Sequence, residues 1–238
     1  MMVGSMRLHL LFLLGLTALE LLALGAADVR AADAQDPAIH VATYIETLPQ
    51  AKEAVLDALK SEAAACRKDG CHDVHLLQEI GRDNRFVVLE SWPDLQAFAA
   101  HERSTDVQYF RDQLTAIATA PPDERILAGV WRDGLTPQKQ PAEAVWVVTH
   151  VDVMPSFKDQ TAMMLERLGE GSTKEPGHML FAVTRQPDRP NHLTVMEAWA
   201  DRTAFEAHES AIATKQFRDE LGPMLGALYD QRIYRAIE

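Results

Sequence analysis

The stretch from Glu90 to Leu114 returns as Glu197 to Leu221, an offset of 197 − 90 = 107 residues, with twelve of twenty-five positions identical. Both stretches carry Glu-x-Trp, Phe-x-x-His-Glu and Phe-Arg-Asp at the same internal spacing. The repeat runs further. VATYIETLP at 41–49 matches VVTHVDVMP at 147–155, while Gly70 and Asn84 match Gly177 and Asn191. A long period present twice means two copies of one supersecondary unit, each able to cover the apolar face that the other leaves open.

Each copy has one order of elements. Residues 39–46 alternate with the period of a strand, and Pro49 then opens a helix. Ala51, Val55, Ala58, Leu59 and Ala63 recur at helical spacing, and Gly70 ends that helix. Residues 73–80 and 84–92 read as a hairpin turning through GRDN. Asp94 caps a short helix to His101, Thr105 with Gln108 forms a capping-box pattern for another, and 125–132 is a last strand. The second copy repeats this βαββαβ order, with strands near 144–153, 178–186, 191–199 and 227–235. FVVLESW and LTVMEAW are apolar on both parities, so both faces of each sheet are expected to be covered. The expected fold is α+β: two tandem ferredoxin-like βαββαβ units packed sheet to sheet as one pseudo-symmetric αβ barrel. The units span 32–135 and 143–238, joined by a polar, proline-containing linker at 136–142.

Residues 1–31 are of another kind. Arg7 precedes an apolar run from Leu8 to Leu24, and the small residues of GAADVRAA follow. This is the order of a secretory signal peptide, so an exported, periplasmic protein is expected, with no membrane attachment after cleavage. Export places Cys66 and Cys71 in an oxidising compartment, where a local disulfide is open to them. The formal net charge of −12 argues against nucleic acid and anionic membranes as partners.

Two ferredoxin-like units, each with a strand ending in Glu-x-Trp, then Phe-x-x-His, then a further Phe, resemble the antibiotic biosynthesis monooxygenase family. ESW…AFAAHE…YF and EAW…AFEAHE…QF carry the likeness. The resemblance implies a cofactor-independent monooxygenase or quinol oxidase that acts on a hydroxylated aromatic, of hydroquinone or anthrone type, with O₂. A base removes a phenolic or enolic proton, and the anion passes an electron to O₂. It also implies that the two copies make an intramolecular pseudo-dimer, with self-association of whole chains left open. Relatives that degrade haem resemble an Asn–Trp–His arrangement with the Asn on the first strand. Here the first strands offer Thr43-Tyr44 and Thr149-His150, so haem is not expected. The alternative is a non-enzymatic periplasmic protein of the same fold that binds or senses a small molecule.

The candidate bases are His101, His208 and His150. His101 and His208 follow Phe98 and Phe205 on one helix face, where an interaction with the helix dipole is the competing explanation. Trp92, Trp199, Tyr44, Phe98 and Phe205 are candidates to contact an aromatic substrate, against simple core packing. Tyr44 and His150 hold equivalent positions with different chemistry, so the copy with two histidines is expected to dominate turnover. Glu90 and Glu197 share a strand face with the tryptophans, where an ion pair with Arg111 and Arg218 and a catalytic role are equally open to them. Cys66, Cys71, His72 and His75 fit no standard zinc spacing, so neither metal nor other cofactor is expected.

Overall fold

A computed structural model describes residues 38–134 and 141–237. The expected signal peptide and residues 136–140 of the expected linker lie outside the described residues. The first copy comprises β1 (Ile39–Glu46), α1 (Lys52–Asp69), β2 (Asp73–Glu79), β3 (Arg85–Trp92), α2 (Leu95–His101), α3 (Thr105–Ile117) and β4 (Asp123–Asp133). The second comprises β5 (Val145–Asp152), α4 (Lys158–Ser172), β6 (His178–Arg185), β7 (His192–Trp199), α5 (Arg202–Ser210), α6 (Ile212–Leu221) and β8 (Asp230–Ala236).

The local signals act as their chemistry requires. Pro49 opens a single 3-10 turn before α1, and Gly70 ends α1 in the left-handed region with φ 94°. Asp94 and Asp201 cap α2 and α5, each side chain accepting from a backbone N–H at 2.8 Å. The cap of α3 is Ser104, which accepts from Val107 N–H; Thr105, expected to cap, is already helical. Cys66 and Cys71 form a disulfide across the end of α1.

The strands close into one antiparallel barrel of order β1-β3-β2-β8-β5-β7-β6-β4. Closure comes from exchange of the last strands. β4 pairs with β6 of the second copy, and β8 pairs with β2 of the first. No strand edge is left between the copies, which removes the unpaired N–H and C=O groups that an open sheet presents.

Strand parity sorts side chains between two environments. Ala42, Leu89, Trp146, Val148, Met196 and Tyr234 fill the barrel interior. The other parity faces the helices: Val41, Ile45, Val88 and Trp92 pack with Leu59, Phe98 and Phe110 in the first copy. A fully buried leucine such as Leu59 contributes about 1.5–3 kcal/mol. A bulge between Gly129 and Trp131 breaks the parity of β4. It leaves Trp131 packed with the helix-side core of the second copy. Among the described residues, no helix is long and apolar enough to cross a membrane.

Candidate active site

In the first copy, α2 carries His101 back over the end of β3, where its ring lies 4.6 Å from that of Trp92. Nδ1 is 2.9 Å from Asp69 Oδ2 and Nε2 is 2.9 Å from Glu62 Oε1, both from α1. Burial opposes a charge on this ring, but the hydrogen bonds to Glu62 and Asp69 outweigh it and hold the imidazole at about 9. At neutral pH the ring is an imidazolium with both N–H groups committed.

Glu90 sits beside this group. Its Oε2 accepts from Trp92 Nε1 at 2.9 Å, so Arg111 is not its partner. Burial pushes the Glu90 carboxyl up to about 7; the Trp92 N–H opposes this and the Glu62 charge adds to it. Glu62 is 5% exposed, and its Oε2 has no hydrogen-bond partner. Arg111 instead pairs with Glu102, and with Glu124 at 3.4 Å.

These groups open onto a cavity of about 360 Å³ between the sheet and the helices. Thr43, Val88, Phe98 and Phe110 line it with Glu62 and Glu90, and Glu102, Arg111 and Glu124 add charge. Trp92 is fully buried beneath these groups. Glu62, Glu90 and His101 offer one ligand atom each within 4.8 Å of one another, a spacing a metal ion can bridge. Both His101 nitrogens are already hydrogen-bonded, so the set fits a shared-proton network better than a metal site. Cys66 and Cys71 are in the disulfide and have no thiolate to offer a metal.

The second copy keeps half of this constellation. Trp199 stacks on His208 at 4.6 Å and donates to Glu197 at 3.0 Å. His208 Nδ1 is 2.9 Å from Glu175, and its Nε2 is 3.5 Å from Glu197. Phe205 packs with Trp199. The equivalent of Glu62, however, is Leu168 (168 − 62 = 106, the offset that also relates Asp69 to Glu175), so the second copy lacks this carboxylate. Beside it, at Gly169, a β-carbon would meet the Trp131 ring at 2.3 Å. The equivalent of Pro122 is Tyr229, which lies under the Arg218 guanidinium and close enough to Glu197 for that charge to act on it. The Tyr229 ring thus stands where the first copy has open space, and the aliphatic Leu168 stands where it has a carboxylate. A cavity of about 150 Å³ in this copy lies by α4 and α6 and includes neither Glu197 nor His208.

Tyr44 and His150 lie on the interior parity, and their rings meet edge to face at 5.3 Å. They belong to one place inside the barrel, and His150 does not share a pocket with His208. Burial, and then Arg125 beside it, push the His150 imidazole down to about 4. His150 Nδ1 lies 3.3 Å from Thr194 Oγ1. Burial pushes the Tyr44 phenol well above its ordinary value.

Glu62 and Asp69 were absent from the sequence candidates, although one signal was available. Glu62 falls on the stripe of α1 that also carries Val55, Leu59 and Cys66, so an acid stands where the helix turns toward the core.

The model of the antibiotic biosynthesis monooxygenase family matches residues 38–113 and again 144–220. The chain belongs to this family. Membership supports a monooxygenase role and a small-molecule substrate in general terms, and names neither. Among solved structures, a candidate monooxygenase from Fusobacterium nucleatum is similar, with 17% identity, a TM-score of 0.75, and coverage of 84% of this chain and 93% of that one. A candidate monooxygenase from Lactobacillus acidophilus has 14% identity and a TM-score of 0.69 over 84% of this chain and 94% of its own. An anthrone oxidase-like protein has 12% identity and a TM-score of 0.69 over 87% and 93%. At these identities the likeness is one of fold, here a whole tandem antibiotic biosynthesis monooxygenase barrel. No curated protein matches the chain in sequence.

Proposed function

We propose that the first copy is the working site of a cofactor-independent monooxygenase or quinol oxidase acting on a hydroxylated aromatic with O₂. One observation carries the reading: a buried carboxyl, Glu90, held at about 7, opens onto an aromatic-lined cavity of about 360 Å³. A general base works best when its pKa lies near the working pH. Glu90 takes the proton of a substrate hydroxyl, while the Trp92 N–H holds its other oxygen in place. His101 stays protonated between Glu62 and Asp69, and its positive charge favours the anion formed nearby. Phe98 and Phe110 exclude water from the ring.

The electrons come from the substrate. A quinol anion, O₂ and the proton returned by Glu90 give quinone and hydrogen peroxide. An anthrone-type methylene and O₂ give the carbonyl and water, one oxygen atom going to each product. In this reading His101 positions and polarises, His208 with Trp199 braces the second copy, and His150 and Tyr44 pack the barrel interior. The protein works after export, supported by the order of residues 1–31 and by the Cys66–Cys71 disulfide.

The test is oxygen uptake by chelator-treated protein with a panel of hydroquinones and anthrones. Uptake that Glu90→Gln abolishes is the expected result. Binding of the panel with no uptake would favour the non-enzymatic alternative.

A further inference from the structure

The copy-one cavity holds two carboxylates where the second copy has one, and the extra one is unsatisfied. Glu62 is 5% exposed, lines the cavity, and keeps Oε2 without a hydrogen-bond donor. A buried acceptor with no partner is costly, and a donor supplied by a ligand removes that cost. A carboxylate oxygen of Glu62 and one of Glu90 lie within 4.8 Å of each other. Two donors next to each other on a ligand can therefore engage both residues at once.

We propose that this pocket selects aromatics with two adjacent hydroxyls, ortho-diphenols, and rejects aromatic acids. The proposal rests on the reading of the cavity as a substrate site and names the substrate class within it. In an ortho-diphenol the two O–H groups leave one edge of the ring side by side, one toward Glu90 and one toward Glu62. In a para-diphenol the hydroxyls point in opposite directions across the ring. Once one reaches Glu90, the other is directed away from Glu62. Electrostatics set the second half of the preference. The lining holds Glu62, Glu90, Glu102 and Glu124, and both neighbouring cations are already paired, Arg111 with Glu102 and Glu124 and His101 with Glu62 and Asp69. A ligand carboxylate would enter a surplus of like charge in a partly dry site.

The experiment is calorimetric titration without oxygen, at neutral pH, using 4-methylcatechol, methylhydroquinone and 3,4-dihydroxybenzoate. Loss of one hydrogen bond to a charged group corresponds to about tenfold or more in affinity. 4-Methylcatechol should therefore bind at least about tenfold tighter than methylhydroquinone. 3,4-Dihydroxybenzoate should bind more weakly than 4-methylcatechol despite its adjacent hydroxyls. In Glu62→Ala, checked for an unchanged fold by its melting curve, the ortho-over-para preference should disappear. Equal affinity for the ortho and para compounds in the unsubstituted protein overturns the proposal, and decides it even if Glu62→Ala fails to fold. So does 3,4-dihydroxybenzoate binding as tightly as 4-methylcatechol. Because binding is read without oxygen, it is separable from turnover. Tight ortho-selective binding with no oxygen uptake in air would sink the oxidase reading alone. Uptake with equal affinity for both isomers would sink the selectivity alone.

Discussion

The indole of Trp131, carried on the last strand of the first copy, lies so close to Gly169 of the second that a β-carbon there would stand 2.3 Å from the ring. The same position would meet the Phe181 ring at 2.9 Å. Gly169→Ala should therefore destabilise the protein. Overpacking costs about 1–3 kcal/mol, while replacing a helical glycine returns about 1 kcal/mol of propensity, so packing wins. A lowered melting temperature with ligand affinity in the first copy unchanged is expected. A raised melting temperature would show that Trp131 yields freely.

Glu90 links activity to pH. Its neighbours in charge are Glu62 on α1, His101 on α2 and Glu102 just beyond, and burial is the largest influence. Oxidation should rise with pH through an inflection near 7, since only the carboxylate accepts a proton. A rate independent of pH between 5 and 8.5 would exclude Glu90 as the base.

Stability should move the other way. The folded value of about 7 lies above the ordinary 4.5, so folding favours the protonated acid. That contribution is complete below the ordinary value and is lost as pH rises through the folded one. Glu90→Gln has no such loss and should be the more stable protein above pH 7, by roughly 3 kcal/mol, while being inactive. Denaturant melts of the two proteins across this pH range are the check, and parallel curves would refute the coupling.

His101 and His208 should part company. The His101 value, raised to about 9, makes its stabilisation complete below the ordinary 6.5 and lost as pH rises through 9. Removing it leaves Glu62 and Asp69 facing each other without a cation, a loss of about 3–5 kcal/mol for one partner of a buried pair. His101→Gln should lower both stability and oxidation. His208→Gln should lower stability and leave the rate per folded molecule unchanged. Nitrogen chemical shifts of the His101 ring should report a doubly protonated imidazole at neutral pH. Slower oxidation in His208→Gln at equal fold would return the chemistry to the second copy.

The first copy cut out alone has two exposed edges, β2 and β4, because both pair with the second copy in the closed barrel. A fragment of residues 32–138 should aggregate or form a homodimer that re-creates the seams. Sedimentation of a stable monomeric fragment with a cooperative melt would contradict this.

What the sequence determined by itself was the architecture. The 107-residue offset between Glu90 and Glu197, the strand and helix periods, Pro49, Gly70 and Asp94 are short-range signals, and they specify two βαββαβ units that need one another. The Glu-x-Trp and Phe-x-x-His motifs were legible as well, whereas the stacking of Trp92 on His101 and of Trp199 on His208 came from the structure. Tertiary structure decided the rest. Which face of the sheet Tyr44 and His150 occupy is a matter of parity, which the residues alone leave open. Glu62 reaches His101 across a separation of 39 residues. Tyr229 fills the second pocket because a tyrosine stands beside Glu197 and Arg218 where the first copy has Pro122, while a bulge in β4 sends Trp131 onto Gly169 and Phe181. Both copies carry the same motif, and only packing between distant segments left one of them open.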